Sequence, residues 1–64
     1  MFLSGTRSVK MYKIYWTHFH YETPGFKTLE AARQYGFNAH FDHQIYKGDK
    51  LVGYWTVGGG WHNV

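Results

Sequence analysis

The sequence predicts one small α+β domain, in which a three-stranded, mainly antiparallel sheet carries one short helix on one face in the order β-α-β-β. Segments 11–20, 37–46 and 50–57 are rich in aromatic and branched residues or alternate between apolar and polar residues, as strands do. A run of good helix formers follows Thr28. Because the chain has 64 residues and no cysteine, we expect a single domain without disulfides.

The first predicted strand, residues 11–20, is aromatic on both faces. We assign one face to water because it carries Lys13 and Thr17, which are rarely buried. The opposite face is the predicted core face, and it comprises Tyr12, Ile14, Trp16 and His18.

The predicted helix covers residues 28–35 and is only two turns long. Thr28 is a suitable N-cap, and Glu30 lies in the first turn, where the helix dipole favours an anion. Gly36 is the residue type expected just beyond a helix end, with Phe37 packing back on the last turn. A helix this short needs a sheet to cover.

Residues 37–46 and 50–57 are predicted to form a hairpin around Lys47-Gly48-Asp49. A two-residue Gly48-Asp49 turn would set Phe41 opposite Thr56 and turn the apolar side chains of the last strand to the polar side. We therefore predict a three-residue loop, which puts Phe41 opposite Trp55 beneath the helix. The same register pairs Ile45 with Leu51 and Ala39 with Val57.

Neither end of the chain has a periodic pattern of apolar residues. Residues 1–10 are interpreted as an extension to a domain of residues 11–57, with disorder as one alternative and Met11 as an alternative start. Residues 58–64 are predicted to form a mobile, glycine-linked tail that folding does not require. Trp61 is the exception in that tail, since it either returns to the core or anchors a partner.

Enzymatic catalysis is not expected. The chain has no cysteine, and Ser4 and Ser8 lie within residues 1–10, which have no periodic pattern, and no nucleophile motif surrounds them. Gly58-Gly59-Gly60 precedes no helix, so it does not form a phosphate loop. We predict no catalytic residue and no cofactor.

The histidines leave one alternative open. His18 and His20 lie two apart on one strand face, and with Asp42 or His40 they would suit a metal ion. We favour the other interpretation, in which His43 is semi-buried and hydrogen-bonded and the remaining histidines are solvated. No metal site is therefore assigned.

The sheet face without the helix is predicted to be aromatic and mildly basic, in a chain of net charge +3. Such a face suits the aromatic anchors of a protein interface. It also suits single-stranded nucleic acid, which stacks on tyrosine and contacts lysine, and self-association into a homodimer is a further alternative. The predicted partner-binding residues are Lys13, Tyr15, Phe19, His40, Tyr46, Lys50, Tyr54 and Trp61.

Residues 26–55 combine a Phe-Lys-Thr-Leu-Glu-Ala-Ala helix start, an alternating strand, a Lys-Gly-Asp turn and a closing Tyr-Trp strand. This pattern resembles small uncharacterised proteins of tailed bacteriophages. The resemblance implies a phage protein that binds a host protein, such as RNA polymerase, and modulates it. Because the sequence has no signal peptide core and no long apolar run, we expect it in the cytoplasm, which would be the host cytoplasm for a phage protein.

Overall fold

A computed structural model describes residues 10–64, and the prediction for residues 1–9 lies outside this range. The α+β class is confirmed, but the antiparallel sheet has four strands rather than three, in the order β1-β2-β3-β4. Within the described range, no helix combines the length and the apolar character that a membrane crossing requires. The elements are β1 (Tyr12–Trp16), α1 (Leu29–Ala39), β2 (His43–Lys47), β3 (Lys50–Thr56) and β4 (Gly60–Asn63).

The core lies between α1 and the first two strands. Ile14 and Trp16 of β1, Ala32 of α1 and Ile45 of β2 are buried together, as the period-2 pattern of β1 predicts. His18 does not share this core, contrary to the prediction, because β1 ends at Trp16 and the chain turns outward.

The start of α1 was predicted correctly and its end was not. The Thr28 hydroxyl accepts a hydrogen bond from the backbone N–H of Ala31 at 3.1 Å, as an N-cap should. The helix continues through Gly36 to Ala39, and His40 ends it in the left-handed conformation at φ 63°. Gly36 is therefore not a terminator. The second strand, predicted from residue 37, begins only at His43.

The predicted hairpin register is also wrong. Gly48 and Asp49 form a two-residue turn, with Lys47 opposite Lys50 and Gly48 at φ 65°. The register then shifts between Ile45 and Tyr46, so that β3 contributes one extra residue at that point.

This shift is a β-bulge, and it decides which face Trp55 occupies. Beyond it, Ile45 lies opposite Gly53 and His43 lies opposite Trp55. Without the bulge, the two-residue turn would have turned Trp55 away from the core. The sequence therefore predicted a three-residue loop, because one register was assumed along the whole hairpin. Phe41 precedes β2 and has no partner on β3.

The segment predicted as a mobile tail contains β4, which pairs with β3 and sets Trp61 opposite Trp55. A Cβ at position 53 would collide with the Trp61 indole, so the missing side chain of Gly53 makes room for that ring. Trp61 packs against the core cluster. Trp61, which is far from other apolar residues in the sequence, thus attaches the last strand to the core.

Candidate functional site

The side of the sheet turned away from α1 is the candidate site, and we call it the open face. The alternation along each strand and the observed registers define its members. Its side chains are those of Lys13, Tyr15, Gln44, Tyr46, Leu51, Tyr54, Thr56 and His62.

Four open-face residues form a row across all four strands. Tyr15 lies opposite Gln44, Gln44 opposite Tyr54, and Tyr54 opposite His62. The Tyr54 and His62 rings are stacked with centroids 5.0 Å apart, while the Gln44 side-chain amide donates to the Thr17 hydroxyl at 2.6 Å. These contacts hold the row in place before any partner arrives.

Tyrosine dominates the exposed surface of the row. Tyr15 is 49% exposed and Tyr54 is 38% exposed. Tyr46, in the next row, meets Tyr15 edge to face at a centroid distance of 5.0 Å. Tyrosines packed in this way lose little freedom on binding and offer both a ring and a hydroxyl.

The open face is less basic than predicted, because Lys13 is the one lysine or arginine among its members. Lys47 lies over the Tyr12 ring at 5.4 Å, and Arg33 lies over the Trp61 indole at 4.6 Å. Both cations are therefore on the helix side of the sheet. Among the described residues, Arg33 and Lys47 therefore add no positive charge to the open face.

The structure brings together four of the eight predicted partner-binding residues. Lys13, Tyr15, Tyr46 and Tyr54 share the open face.

The other four lie on the helix side or at its margin. Phe19 stacks on Trp16 at a centroid distance of 5.5 Å. His40 caps α1, Lys50 lies opposite Lys47 in the helix-side row, and Trp61 covers Gly53. Phe19, His40 and Lys50 were predicted on the open face and lie elsewhere, because β1 ends at Trp16, β2 begins only at His43, and the hairpin register differs. Trp61 was predicted to anchor a partner from the tail, and that role stays a prediction.

Two residues of the row, Gln44 and His62, were missing from the predicted site. The alternation of residues 37–46 places Gln44 on the same face as Tyr46, but it was not among the predicted partner-binding residues. His62 was overlooked because the four residues of β4 are too few for an alternating pattern to stand out. The signal for it was a Trp-His-Asn segment directly after a glycine turn.

His43 is the one deeply buried histidine among the described residues, at 1% exposure. Its Nδ1–H donates to the Phe41 carbonyl at 2.6 Å, which leaves Nε2 without a proton and without a partner in the described structure. Burial lowers the pKa of His43, and its ring stacks on Trp55 at 5.5 Å. The predicted hydrogen bond is confirmed, although burial is more complete than expected.

Asp42 joins the end of β3 to the start of β2. Its Oδ1 accepts the backbone N–H of Val57 at 2.8 Å, and this bond holds the pKa of the carboxyl below its usual value. His18 Nε2 lies 3.3 Å from Oδ2. Between residues 10 and 64, no three histidine or acidic side chains converge, so His18 and Asp42 lack a third ligand there.

No protein-family model matches this chain, and neither the curated proteins nor the solved structures contain a significant match to it. The open face is therefore the feature on which a functional proposal rests.

Proposed function

We propose that this chain is a small non-enzymatic binding protein that contacts a partner protein through the open face. The observation that carries the proposal is the row of Tyr15, Gln44, Tyr54 and His62, which crosses all four strands and is not covered by any other described element. Tyrosine is enriched in protein interfaces, because it offers a rigid ring and a hydroxyl at a low entropic cost.

Charge favours a protein partner over single-stranded nucleic acid. Nucleic-acid affinity depends on neutralising several phosphates, and each contact needs a cation near the bound strand. Lys13 is the one lysine or arginine of the open face, while Arg33 and Lys47 stack on rings of the other side. Stacking on tyrosine would remain for bases, but with little electrostatic support.

The resemblance to small tailed-phage proteins suggests the kind of partner. If the chain is a phage protein, the partner is a host protein, which the chain modulates by occupying its surface in a fixed stoichiometry without turnover. The open face supplies the contact, and the rest of the domain keeps its side chains in place.

Substituting two tyrosines tests the proposal. Tyr15→Ser combined with Tyr54→Ser removes both tyrosine rings of the row and leaves the backbone pairing intact. Immobilised wild-type protein should capture a protein from a bacterial lysate, and the double variant should lose it. The captured protein, once purified, should bind wild type at a fixed ratio in calorimetry.

Tyr35→Ser is the matched control. Tyr35 has the same 38% exposure as Tyr54 but lies on α1, away from the open face. It should retain the captured protein. Capture that survives the double variant would contradict the proposal. Binding of a single-stranded oligonucleotide that weakens steeply with salt and is lost in the double variant would support nucleic acid instead.

A further inference from the structure

The outer edge of β4 differs from the other edge of the sheet. At β1, Phe26 forms a bridge to Tyr12, and the two residues exchange backbone hydrogen bonds of 2.8 Å. No described residue forms a backbone hydrogen bond with the outer side of β4. An edge strand with unpaired N–H and C=O groups is a template for another strand.

The ladder shows which groups of β4 point outward. The Val64 N–H donates to the Val52 carbonyl of β3 at 3.1 Å, so the backbone of Val64 faces inward. Antiparallel residues alternate in this respect, so His62 also faces β3, while Trp61 and Asn63 direct their N–H and C=O groups outward.

This arrangement is self-complementary. In a second copy related by a two-fold axis beside His62, Trp61 would lie opposite Asn63 of the other copy, and Asn63 opposite Trp61. All outward groups of these residues would then be paired by four backbone hydrogen bonds. A shift of the pairing register by one residue, which would set Trp61 opposite His62 of the other copy, would bring outward groups against inward ones and leave them unpaired.

The charges of the segment permit this pairing. Each copy carries a net charge of +3, which opposes association, but residues 57–64 contain no lysine, arginine, aspartate or glutamate. Charged side chains and proline are common means by which edge strands avoid pairing, and β4 has neither.

We propose that β4 pairs with β4 of a second copy and forms a homodimer with a continuous eight-stranded antiparallel sheet. The two open faces join at His62, so that the aromatic rows of both copies become one surface twice as long. The interface is small, because each copy contributes a strand of four residues.

A single cysteine tests the register directly, since the chain has none of its own. In the dimer, His62 of one copy would lie opposite His62 of the other copy in a non-hydrogen-bonded pair, where the two Cα atoms are about 4.5 Å apart. A disulfide spans this separation. His62→Cys should therefore form a disulfide-linked dimer under mild oxidation. Because the disulfide is covalent, it also detects a weak association.

Gly58→Cys is the matched control, since a Cβ there meets no atom within 4 Å and the site is exposed. It lies near the β3–β4 turn, far from its counterpart in the dimer, and should cross-link at least about tenfold more slowly. Equal rates for both variants, or no cross-link at His62→Cys, would overturn the proposal. If β4 pairs only with a strand of another protein, His62→Cys would form no cross-link.

Asn63→Pro supplies an independent test with unmodified protein. Proline removes only the outward N–H of β4, so pairing with β3 should survive. Asn63→Ala lacks the same side chain, including its bond to the Trp61 indole, but keeps the N–H. Sedimentation equilibrium should show a dimer in wild type and in Asn63→Ala and a monomer in Asn63→Pro, and circular dichroism should show that Asn63→Pro remains folded. Equal association of the two variants would contradict the pairing.

Discussion

Gly36 of α1 lies directly over the imidazole of His43, so close that a Cβ at position 36 would overlap Nε2, Cε1 and Cδ2 of the ring. The helix can pack on β2 only because this position has no side chain. Glycine in a helix interior costs about 0.5–1 kcal/mol relative to alanine. Here that cost is offset by the close approach of the helix to the buried histidine.

Gly36→Ala should therefore lower the free energy of unfolding by about 1–2 kcal/mol, although alanine is the better helix former. Urea denaturation measures the change. Combining it with His43→Ala should cost less than the sum of the two single changes, since the clash is then gone. A stabilised Gly36→Ala variant would show that the helix does not contact the ring.

Stability should decrease as the pH falls below about 6.5. Burial depresses the pKa of His43 in the folded state, whereas the unfolded chain has an ordinary imidazole. The unfolded state therefore binds more protons below pH 6.5, and protonation favours unfolding down to the folded-state pKa. Urea denaturation at a series of pH values measures this slope.

His43→Leu is the control for the pH experiment. It removes the buried imidazole and leaves the four exposed histidines, His18, His20, His40 and His62. The slope between neutral pH and about pH 5 should become clearly smaller in this variant. An unchanged slope would assign the effect to the exposed histidines.

Phe41→Ala should lower the free energy of unfolding by less than about 1 kcal/mol. If Phe41 were buried beneath the helix, as the predicted register places it, the loss would be roughly 3–5 kcal/mol. Phe41 is instead 53% exposed and meets Phe19 edge to face at the surface. Trp55→Ala is the comparison and should show the larger loss, because Trp55 is buried.

Trp61→Ala should lower the free energy of unfolding by about 2–3 kcal/mol, somewhat below the usual cost for a fully buried tryptophan. The indole covers Gly53 and packs against the core, so its loss exposes the middle of β3. Ending the chain at Val57 should cost more, since all of β4 is then lost. His62→Ala, on the open face of the same strand, should have a small effect on thermal denaturation.

Local signals were sufficient to predict the α+β class, the Thr28 cap and the faces of β1. Each depends on neighbours in the chain: the cap hydroxyl reaches an amide three residues on, and alternation in a strand is a property of consecutive residues. Tyr15, Tyr46 and Tyr54 were placed on one face by the same alternation, so much of the open face was predictable.

Contacts distant in sequence decided the rest. Gly36 has the local character of a helix terminator, and the His43 ring beneath it explains why a glycine stands inside the helix instead. The bulge in β3 returns Trp55 to the core after a turn that alone would have excluded it. Trp61 gains a strand because Gly53 leaves space for its indole. In each case the structural role of a glycine or of an extra residue depends on a side chain that is distant in the sequence and packs against it.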